Sequence, residues 1–211
     1  MLDFKRESSL SGKVAGVDEV GRGAWAGPVF AAAAVLSPDA ANSPDLKLIN
    51  DSKALSKRNR KIIYEQLLKT IKSGNAWMGI GSADVNEIDS LNILQATMLA
   101  MQRAVADLPF IPSSILIDGN KTPELPSPSQ AIVKGDRLVL SIAAASIYAK
   151  VTRDKYMFNL SKNYGGYGWE QNSGYGTRRH QEGLIHFGLT KHHRKSFKPI
   201  KNILNQNTIY S

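Results

Sequence analysis

Residues 13–36, KVAGVDEVGRGAWAGPVFAAAAVL, contain two apolar runs separated by a glycine-rich turn. Residues 13–18 have the composition of a short buried strand, and the turn Gly21-Arg22-Gly23 follows it. Residues 28–36 form a second apolar run made mostly of small side chains. Because a glycine turn between two such runs is typical of a β-hairpin, this stretch predicts the first two strands of a sheet.

Helical and strand patterns follow the hairpin in alternation. Ser56 predicts the N-cap of a helix with apolar residues at helical spacing, and the alanine-rich stretch from Ser141 to about Leu160 predicts a helix that packs closely on the sheet. Between them lie predicted strands at 77–81, 115–118 and 131–133, and a predicted helix from about Ser90 to before Pro109. Three early strands followed by alternating helices and strands predict an α/β fold, a mixed sheet flanked by helices.

The composition excludes several classes of protein. The chain has 211 residues, enough for one ordinary domain with a core of its own, and it has no cysteine. The absence of cysteine excludes disulfide scaffolds, thiol nucleophiles and cysteine-ligated zinc. The N-terminus lacks the apolar region of a signal peptide, and no apolar run is long enough to span a bilayer. We therefore expect a cytoplasmic protein without a membrane partner. We also expect a monomer.

The positive charge is concentrated at one end of the chain. Lysine and arginine outnumber aspartate and glutamate by 27 to 18, and residues 150–211 contain 11 basic and only 3 acidic residues. This excess predicts a polyanionic partner, with nucleic acid favoured over a membrane surface. We predict a body at 1–164 and a basic C-terminal helical segment at 165–211, which begins at a glycine-rich joint. The candidate phosphate contacts in that segment are Arg178, Arg179, Lys191, Arg194, Lys195 and Lys198.

Candidate catalytic groups are carboxylates. Asp18 and Asp118 each end an apolar strand, Glu19 adjoins Asp18, and Asp136 precedes the alanine-rich helix. If the first and fourth strands are neighbours, Asp18 and Asp118 face each other and repel unless a cation lies between them. Magnesium accepts a few carboxylates, waters and phosphate oxygens, and a pair of such ions can activate water for phosphodiester hydrolysis. The pattern thus favours metal-dependent phosphoryl chemistry on nucleic acid.

Two other interpretations remain open on these residues. An aspartate at the end of a strand is more often a turn residue or a helix cap than a metal ligand, so a nucleic-acid binder without catalytic activity is one alternative. A DNA nuclease or recombinase on the same fold is the other.

A long series of motifs resembles the ribonuclease HII family, the bacterial type 2 ribonucleases H. The matching segments, in family order from about residue 13 to 200, are 17–23 (VDEVGRG), 26–29 (AGPV), 51–56 (DSKALS), 86–97 (NEIDSLNILQAT), 117–120 (IDGN), 133–136 (VKGD), 141–154 (SIAAASIYAKVTRD), 172–177 (NSGYGT) and 193–199 (HRKSFKP). The departures are few: Ala24-Trp25 and Ala54 stand where the family more often has Pro-Leu and lysine. Every catalytic position of the family pattern is present.

The resemblance implies a ribonuclease H-like mixed sheet with a small helical segment over the nucleic-acid groove. It implies an endonuclease that cuts the RNA strand of RNA–DNA hybrids and incises duplex DNA on the 5′ side of an embedded ribonucleotide, with Mg²⁺ or Mn²⁺, leaving 3′-hydroxyl and 5′-phosphate ends. The implied catalytic and metal-binding residues are Asp18, Glu19, Asp118 and Asp136, and the implied substrate-binding residues are Gly21, Arg22, Gly23, Lys53 and Tyr175.

The resemblance also separates candidates that composition leaves equal. It selects Asp136 over Asp154, and Asp154 is then expected to form an exposed ion pair with Lys150 four residues earlier on the same helix. We expect His180, His192 and His193 to be helix-surface or phosphate-facing residues with structural rather than catalytic roles.

Overall fold

The computed structural model describes residues 2–44, 46, 49 and 56–209, with side chains described as far as residue 205. The strands are β1 (Val14–Val20), β2 (Val29–Leu36), β3 (Ala76–Ala83), β4 (Ser114–Asp118) and β5 (Ser129–Ile132). The helices are α1 (Lys5–Ser8), α2 (Pro38–Asn42), α3 (Lys57–Lys72), α4 (Val85–Leu91), α5 (Ile93–Ala106), α6 (Leu140–Ser161), α7 (Trp169–Asn172), α8 (Arg178–Phe187) and α9 (Lys198–Ile209).

The strands form one mixed sheet in the order β3-β2-β1-β4-β5. The first three strands are antiparallel neighbours, whereas β1 pairs in parallel with β4, and β4 with β5. In the β1–β4 register Val17 lies opposite Ile117, so the next residues, Asp18 and Asp118, reach the same edge of the sheet. The predicted mixed α/β sheet is confirmed, and the first and fourth strands are neighbours, which is the condition that the argument about Asp18 and Asp118 assumed.

Strand β2 is buried along its whole length because helices cover both faces of the sheet. Ala32 and Ala34 belong to the core on the side of α3 and α6, while Ala31 and Ala33 belong to the core on the side of α5. Small side chains let the helices approach the sheet closely. At Gly16 of β1 a Cβ atom would overlap the backbone at the start of α6, so this contact requires glycine.

Helix α3 begins where its predicted N-cap residue places it. The Ser56 hydroxyl accepts the Asn59 N–H and caps α3 as predicted. The helix predicted from about Ser90 corresponds to α5, and the preceding helix α4 was not predicted. The two helices meet at Asn92, which has a φ of 70° and whose side chain accepts the N–H groups of Leu94 and Gln95. An asparagine can adopt this left-handed conformation and cap the next helix, so the chain turns there.

The C-terminal segment packs on the body through a cluster centred on Trp169, which is fully buried. Tyr167 lies in the predicted glycine-rich joint, yet its ring is buried and stacks on Trp169 with centroids 5.0 Å apart. At Tyr167 the joint is therefore part of a packed core and not a loose connection. None of the helices in the described ranges has the length and apolar character needed to cross a bilayer.

Candidate active site

The carboxylates predicted to act together lie at one edge of the sheet. Asp18 is only 6% exposed; its Oδ1 accepts the Glu19 N–H at 2.7 Å, and the Ser146 hydroxyl of α6 also donates to it. Burial raises the pKa of Asp18 well above its usual value, and the negative charges of Glu19 and Asp118 raise it further. The carboxylates of Glu19 on β1 and of Asp118 on β4 therefore both repel the carboxylate of Asp18.

Asp136 reaches the same edge from a short 3₁₀ turn, Gly135–Arg137, that leads into α6. Lys134 precedes this turn in the left-handed conformation, with a φ of 59°. The Asp136 N–H lies 3.4 Å from Asp118 Oδ1, and the pKa of the Asp136 carboxyl is raised by burial and then by the Asp118 charge. Asp118 is therefore coupled electrostatically to both Asp18 and Asp136.

The donor atoms of this edge suit a hard divalent cation, but they do not form a closed cage. Within the residues that the structure describes, no group of three or more histidine, aspartate or glutamate side chains is placed to hold a metal ion as it stands. Repulsion among carboxylates is relieved when a cation binds between them, and Mg²⁺ commonly uses one or two carboxylates, several waters and substrate phosphate oxygens. The residues present fit such an ion in kind and in charge.

Two buried arginines hold the glycine-rich turn from below. Arg194 is 0% exposed and donates from Nη1 to Arg22 O and from Nε to Gly27 O, each at 2.9 Å. Arg153, also buried, donates to Pro28 O and to Ala26 O. The prediction that Arg194 contacts phosphate directly is wrong, because its guanidinium is enclosed by backbone carbonyls.

The bond from Arg194 sets the direction of one amide group. The described part of the chain contains no cis peptide bond, and in a trans peptide the carbonyl and the N–H point in opposite directions. Since Arg22 O points toward Arg194, the N–H of Gly23 points away from it. Burial lowers the pKa of Arg194 to about 9, and the nearby charge of Arg153 contributes, so Arg194 stays charged at neutral pH.

Tyr175 lies against the glycine turn. Its ring is 36% exposed, and a Cβ atom on Gly23 would lie 3.8 Å from Tyr175 Cε1. The N–H groups of Trp25 and Ala26 both donate to Gly174 O, which fixes the two segments side by side. The structure therefore brings together two elements that were predicted to bind substrate and that are about 150 residues apart in the sequence.

Trp25, a departure from the family pattern, packs beside the candidate site. A Cβ atom on Gly176 would overlap its indole, and its ring lies 5.7 Å from that of His180. Trp25 thus packs under the Tyr175 segment. Lys53, the remaining predicted substrate contact, lies outside the described residues.

Asp154, His180 and His193 were expected to lie on the protein surface, and the structure shows that all three are partly or fully buried. Asp154 does pair with Lys150 at 2.7 Å, but it is partly buried and also accepts the Ser173 hydroxyl at 2.7 Å, so it ties α6 to the C-terminal segment. His180 and His193 are 0% and 1% exposed, and they face neither solvent nor phosphate. A structural role for these histidines agrees with their burial.

A basic groove of about 560 Å³ lies between α3, α6 and α7. Its charged lining residues are Lys57, Arg60, Lys61, Lys150, Asp154, Lys155 and Glu170. It begins one helical turn along α6 from Ser146, the residue that contacts Asp18. Sequence analysis missed this groove because its cations come from two helices that are far apart in the chain, and only their packing places them on one surface.

Ion pairs reduce the number of exposed charges in the C-terminal segment. Arg178 pairs with Glu182 at 2.8 Å, and Arg179 pairs with Glu170 at 3.1 Å. Lys191, Lys195 and Lys198 are exposed. These three lysines are the strongest remaining candidates from that segment for contact with a polyanion.

A mixed sheet in the order β3-β2-β1-β4-β5, with carboxylates where β1 and β4 end, is a ribonuclease H-like fold. The family model for Ribonuclease HII matches residues 15–200. A Ribonuclease HII from Pelagibacter ubique is 50% identical over 192 residues, which cover 90% of this chain and 98% of that protein. The chain belongs to the ribonuclease HII family and is an endonuclease of the ribonuclease H type.

Solved structures agree with this assignment. The ribonuclease H2 from Pyrococcus horikoshii superposes with a TM-score of 0.75 at 26% identity, covering 92% of this chain and 98% of that one. A Bst-RNase HIII in complex with Mn²⁺ has a TM-score of 0.70 at 22% identity, covering 93% of this chain and 70% of that one, which supports the fold alone.

Proposed function

We propose that this protein is a divalent-metal-dependent endoribonuclease that cleaves the RNA strand of RNA–DNA hybrids and incises duplex DNA on the 5′ side of an embedded ribonucleotide, leaving 3′-hydroxyl and 5′-phosphate ends. The observation that carries the proposal is the position of Asp18, whose carboxyl pKa is raised, and Asp118 on one edge of the sheet. From this edge β1 runs directly into the Gly21-Arg22-Gly23 turn, against which Tyr175 lies. Chemistry and sugar recognition would then take place on adjoining surfaces.

In this proposal Asp18, Glu19, Asp118 and Asp136 hold Mg²⁺ or Mn²⁺ and position the attacking water. When bound, the metal would activate this water and stabilise the leaving oxygen. The mutual repulsion of the carboxylates, which raises the pKa of Asp18 and Asp136, favours cation binding. The Mn²⁺ complex of the RNase HIII, which has the same fold, is consistent with this choice of ion.

Sugar recognition falls to the glycine turn and Tyr175. The N–H of Gly23 points away from Arg194 and makes no backbone hydrogen bond within the described residues, so it can donate to a 2′-hydroxyl. Gly23 is exposed and has open space beside its Cα, which lets a sugar approach the backbone, whereas Gly21, with a φ of 94°, makes room for the Arg153 side chain beneath the turn. Tyr175 stacks on the following sugar, where a 2′-hydroxyl would clash with its ring. A deoxyribose is therefore favoured at that position.

Duplex binding involves the basic groove and the exposed C-terminal lysines. The groove continues from the carboxylate edge along α6, as expected for a surface that follows a phosphate backbone. We assign residues 1–164 to catalysis and residues 165–211 to substrate binding, with Lys53 as a further phosphate contact. We further propose that the enzyme is monomeric and cytoplasmic, and that it removes ribonucleotides during DNA replication and repair.

An incision assay tests the proposal. A duplex DNA with one embedded ribonucleotide should be cut on its 5′ side with Mg²⁺ or Mn²⁺ and left intact with chelator, and an all-DNA duplex should remain uncut. Folded protein that leaves the first duplex intact with either metal would refute the proposal. Cleavage of the all-DNA control would instead indicate a DNA nuclease.

A further inference from the structure

The two fully buried histidines, His180 and His193, are in contact with each other, with their Nε2 atoms 3.1 Å apart. Neither histidine takes part in the proposed chemistry. A hydrogen bond between two Nε2 atoms requires that one carries the proton and the other does not. One histidine is therefore the donor and the other the acceptor of this hydrogen bond, and the contacts of each Nδ1 atom show which is which.

The tautomer of each ring follows from its Nδ1 contact. Thr190 N–H donates to His193 Nδ1 at 2.9 Å, and because a backbone amide can only donate, the neutral His193 carries its proton on Nε2. His180 Nδ1 lies 3.0 Å from Tyr175 O, and because a carbonyl can only accept, His180 carries its proton on Nδ1. His193 Nε2–H therefore donates to His180 Nε2, and the two independent assignments agree.

The surroundings of both rings favour the neutral forms. Burial lowers the pKa of His180, and burial together with the proximity of His180 lowers that of His193 to about 4. Trp169 Nε1–H also donates to His180 Nε2, at 3.2 Å, and would lose its acceptor if that nitrogen were protonated. At neutral pH the hydrogen bonds run in one direction, from Thr190 through both histidines to the carbonyl of Tyr175.

The end point of these bonds is the backbone of the residue proposed to contact the substrate sugar. The Tyr175 N–H donates to Asn172 O at 2.9 Å, and the preceding Gly174 has a φ of 83°. The Tyr175 ring lies beside Gly23. Asn172 holds the peptide group that precedes Tyr175, whereas the peptide group that follows it is held through Tyr175 O by His180 Nδ1–H and by the Thr177 N–H, which donates to the same oxygen at 2.8 Å. Rotation of this peptide would move the ring away from the glycine turn.

We propose that His180 and His193 are positioning residues for sugar discrimination: the relay from Thr190 through His193 and His180 to Tyr175 O holds the Tyr175 ring where it disfavours a 2′-hydroxyl on the sugar that follows the cleaved position. This inference rests on the proposed function. It adds a specificity role for two residues that touch neither the substrate nor the metal.

Substrate discrimination provides the test. The quantity to measure is the ratio of kcat/KM for a duplex with one ribonucleotide, which is followed by a deoxyribose, to kcat/KM for a continuous RNA–DNA hybrid. His180→Leu and His193→Leu should each lower this ratio about tenfold, toward the value of Tyr175→Ala, because a small displacement of a positioned group has a large effect. His193→Gln should restore much of it, since its amide N–H can replace Nε2–H as the donor.

A core variant controls for loss of stability. Ile63→Val alters a fully buried residue of α3 away from the relay, so it should leave the ratio unchanged even where total activity falls. A ratio that falls with Tyr175→Ala but not with the histidine variants would overturn the relay while leaving the proposed function intact. A wild-type protein with no preference for the following deoxyribose would contradict the proposed role of Tyr175 itself, and the role of the relay with it.

Nitrogen-15 NMR of wild-type protein tests the relay even if the leucine variants do not fold. At neutral pH, His180 should show the Nδ1–H tautomer and His193 the Nε2–H tautomer, with both protons slow to exchange. The opposite tautomer at either position, or a charged ring, would overturn the inference.

Discussion

Arg194 Nη1 donates a 2.9 Å hydrogen bond to the carbonyl oxygen of Arg22, 172 residues earlier in the chain. The same guanidinium donates to Gly27 O, so one side chain from the C-terminal segment holds both the glycine-rich turn, at Arg22, and the chain that follows it, at Gly27. This contact means that the proposed sugar-recognition surface is held in place by residues from both ends of the protein. It also suggests that a residue without substrate contact controls recognition.

Arg194→Lys should impair incision of a single embedded ribonucleotide about a hundredfold, because lysine keeps the charge but cannot donate in the geometry that reaches both Arg22 O and Gly27 O. We expect a loss of about 2 kcal/mol in the free energy of unfolding, from weaker hydrogen bonds to a buried charge. Arg178→Lys is the matched control, since its side chain is 93% exposed and it should retain both properties. Equal effects in the two variants would contradict the role of Arg194.

Asp118→Asn should reduce incision at least about a hundredfold, since even a residue that only supports a metal ligand has effects of this size. It should also lower the pKa of the Asp18 and Asp136 carboxyls, because the Asp118 charge raises both. Fluorescence anisotropy should show that duplex affinity is retained, and the melting temperature without metal should not fall. A variant that fails both to bind and to cleave the duplex would indicate a structural role for Asp118.

Lys57→Gln with Lys61→Gln should weaken duplex binding by removing two cations from the basic groove. The salt dependence of binding should become shallower by about 0.9 for each phosphate that the protein no longer neutralises. The matched control is Lys69→Gln with Lys72→Gln, which removes the same charge from the other end of α3. The same change in slope for both pairs would show that only net charge matters, and would exclude the groove as a binding surface.

Neutralising Lys195 and Lys198 should weaken binding to the same extent for any duplex sequence, because both lysines are exposed and would contact phosphates rather than bases. Affinity measured for two unrelated sequences at moderate salt checks this expectation. Unchanged affinity would count against the C-terminal segment as a clamp.

Protein stability should decrease between pH 6.5 and about pH 4 because of His193. Its pKa is about 4 in the folded protein and 6.5 in an unperturbed histidine, so over this range the unfolded state binds more protons and is favoured as pH falls. The full effect is about 3 kcal/mol and levels off below pH 4. The difference in the free energy of unfolding between wild type and His193→Gln, measured by chemical denaturation at each pH, isolates the contribution of His193. Asp18, whose raised pKa makes the folded state more stable as pH falls, contributes equally to both proteins. Parallel stability curves would contradict the lowered pKa.

Local patterns were sufficient to predict the elements that position the chemistry. The strand ending at Asp18, the cap at Ser56 and the alanine-rich helix α6 depend mainly on nearby residues, and all three were predicted close to their observed boundaries. Helix α5 was predicted from about Ser90 and α4 was not predicted, and the boundary between the two helices depends on the backbone conformation of Asn92. A left-handed asparagine in the middle of a helical pattern has no distinctive sequence context.

By itself, the sequence determined the mixed sheet, the carboxylates at the strand ends and the surplus of positive charge, since strand periodicity, chain order and composition are properties of the chain alone. Only the tertiary structure decided which charged and titratable groups are enclosed. Arg194 and His193 belong to a basic stretch that resembles a solvent-exposed surface, yet both are buried, and their hydrogen bonds are made to groups that the fold brings from elsewhere in the chain. Burial and partner identity depend on contacts between segments far apart in sequence, and these contacts convert two apparent phosphate-binding residues into supports for the candidate site.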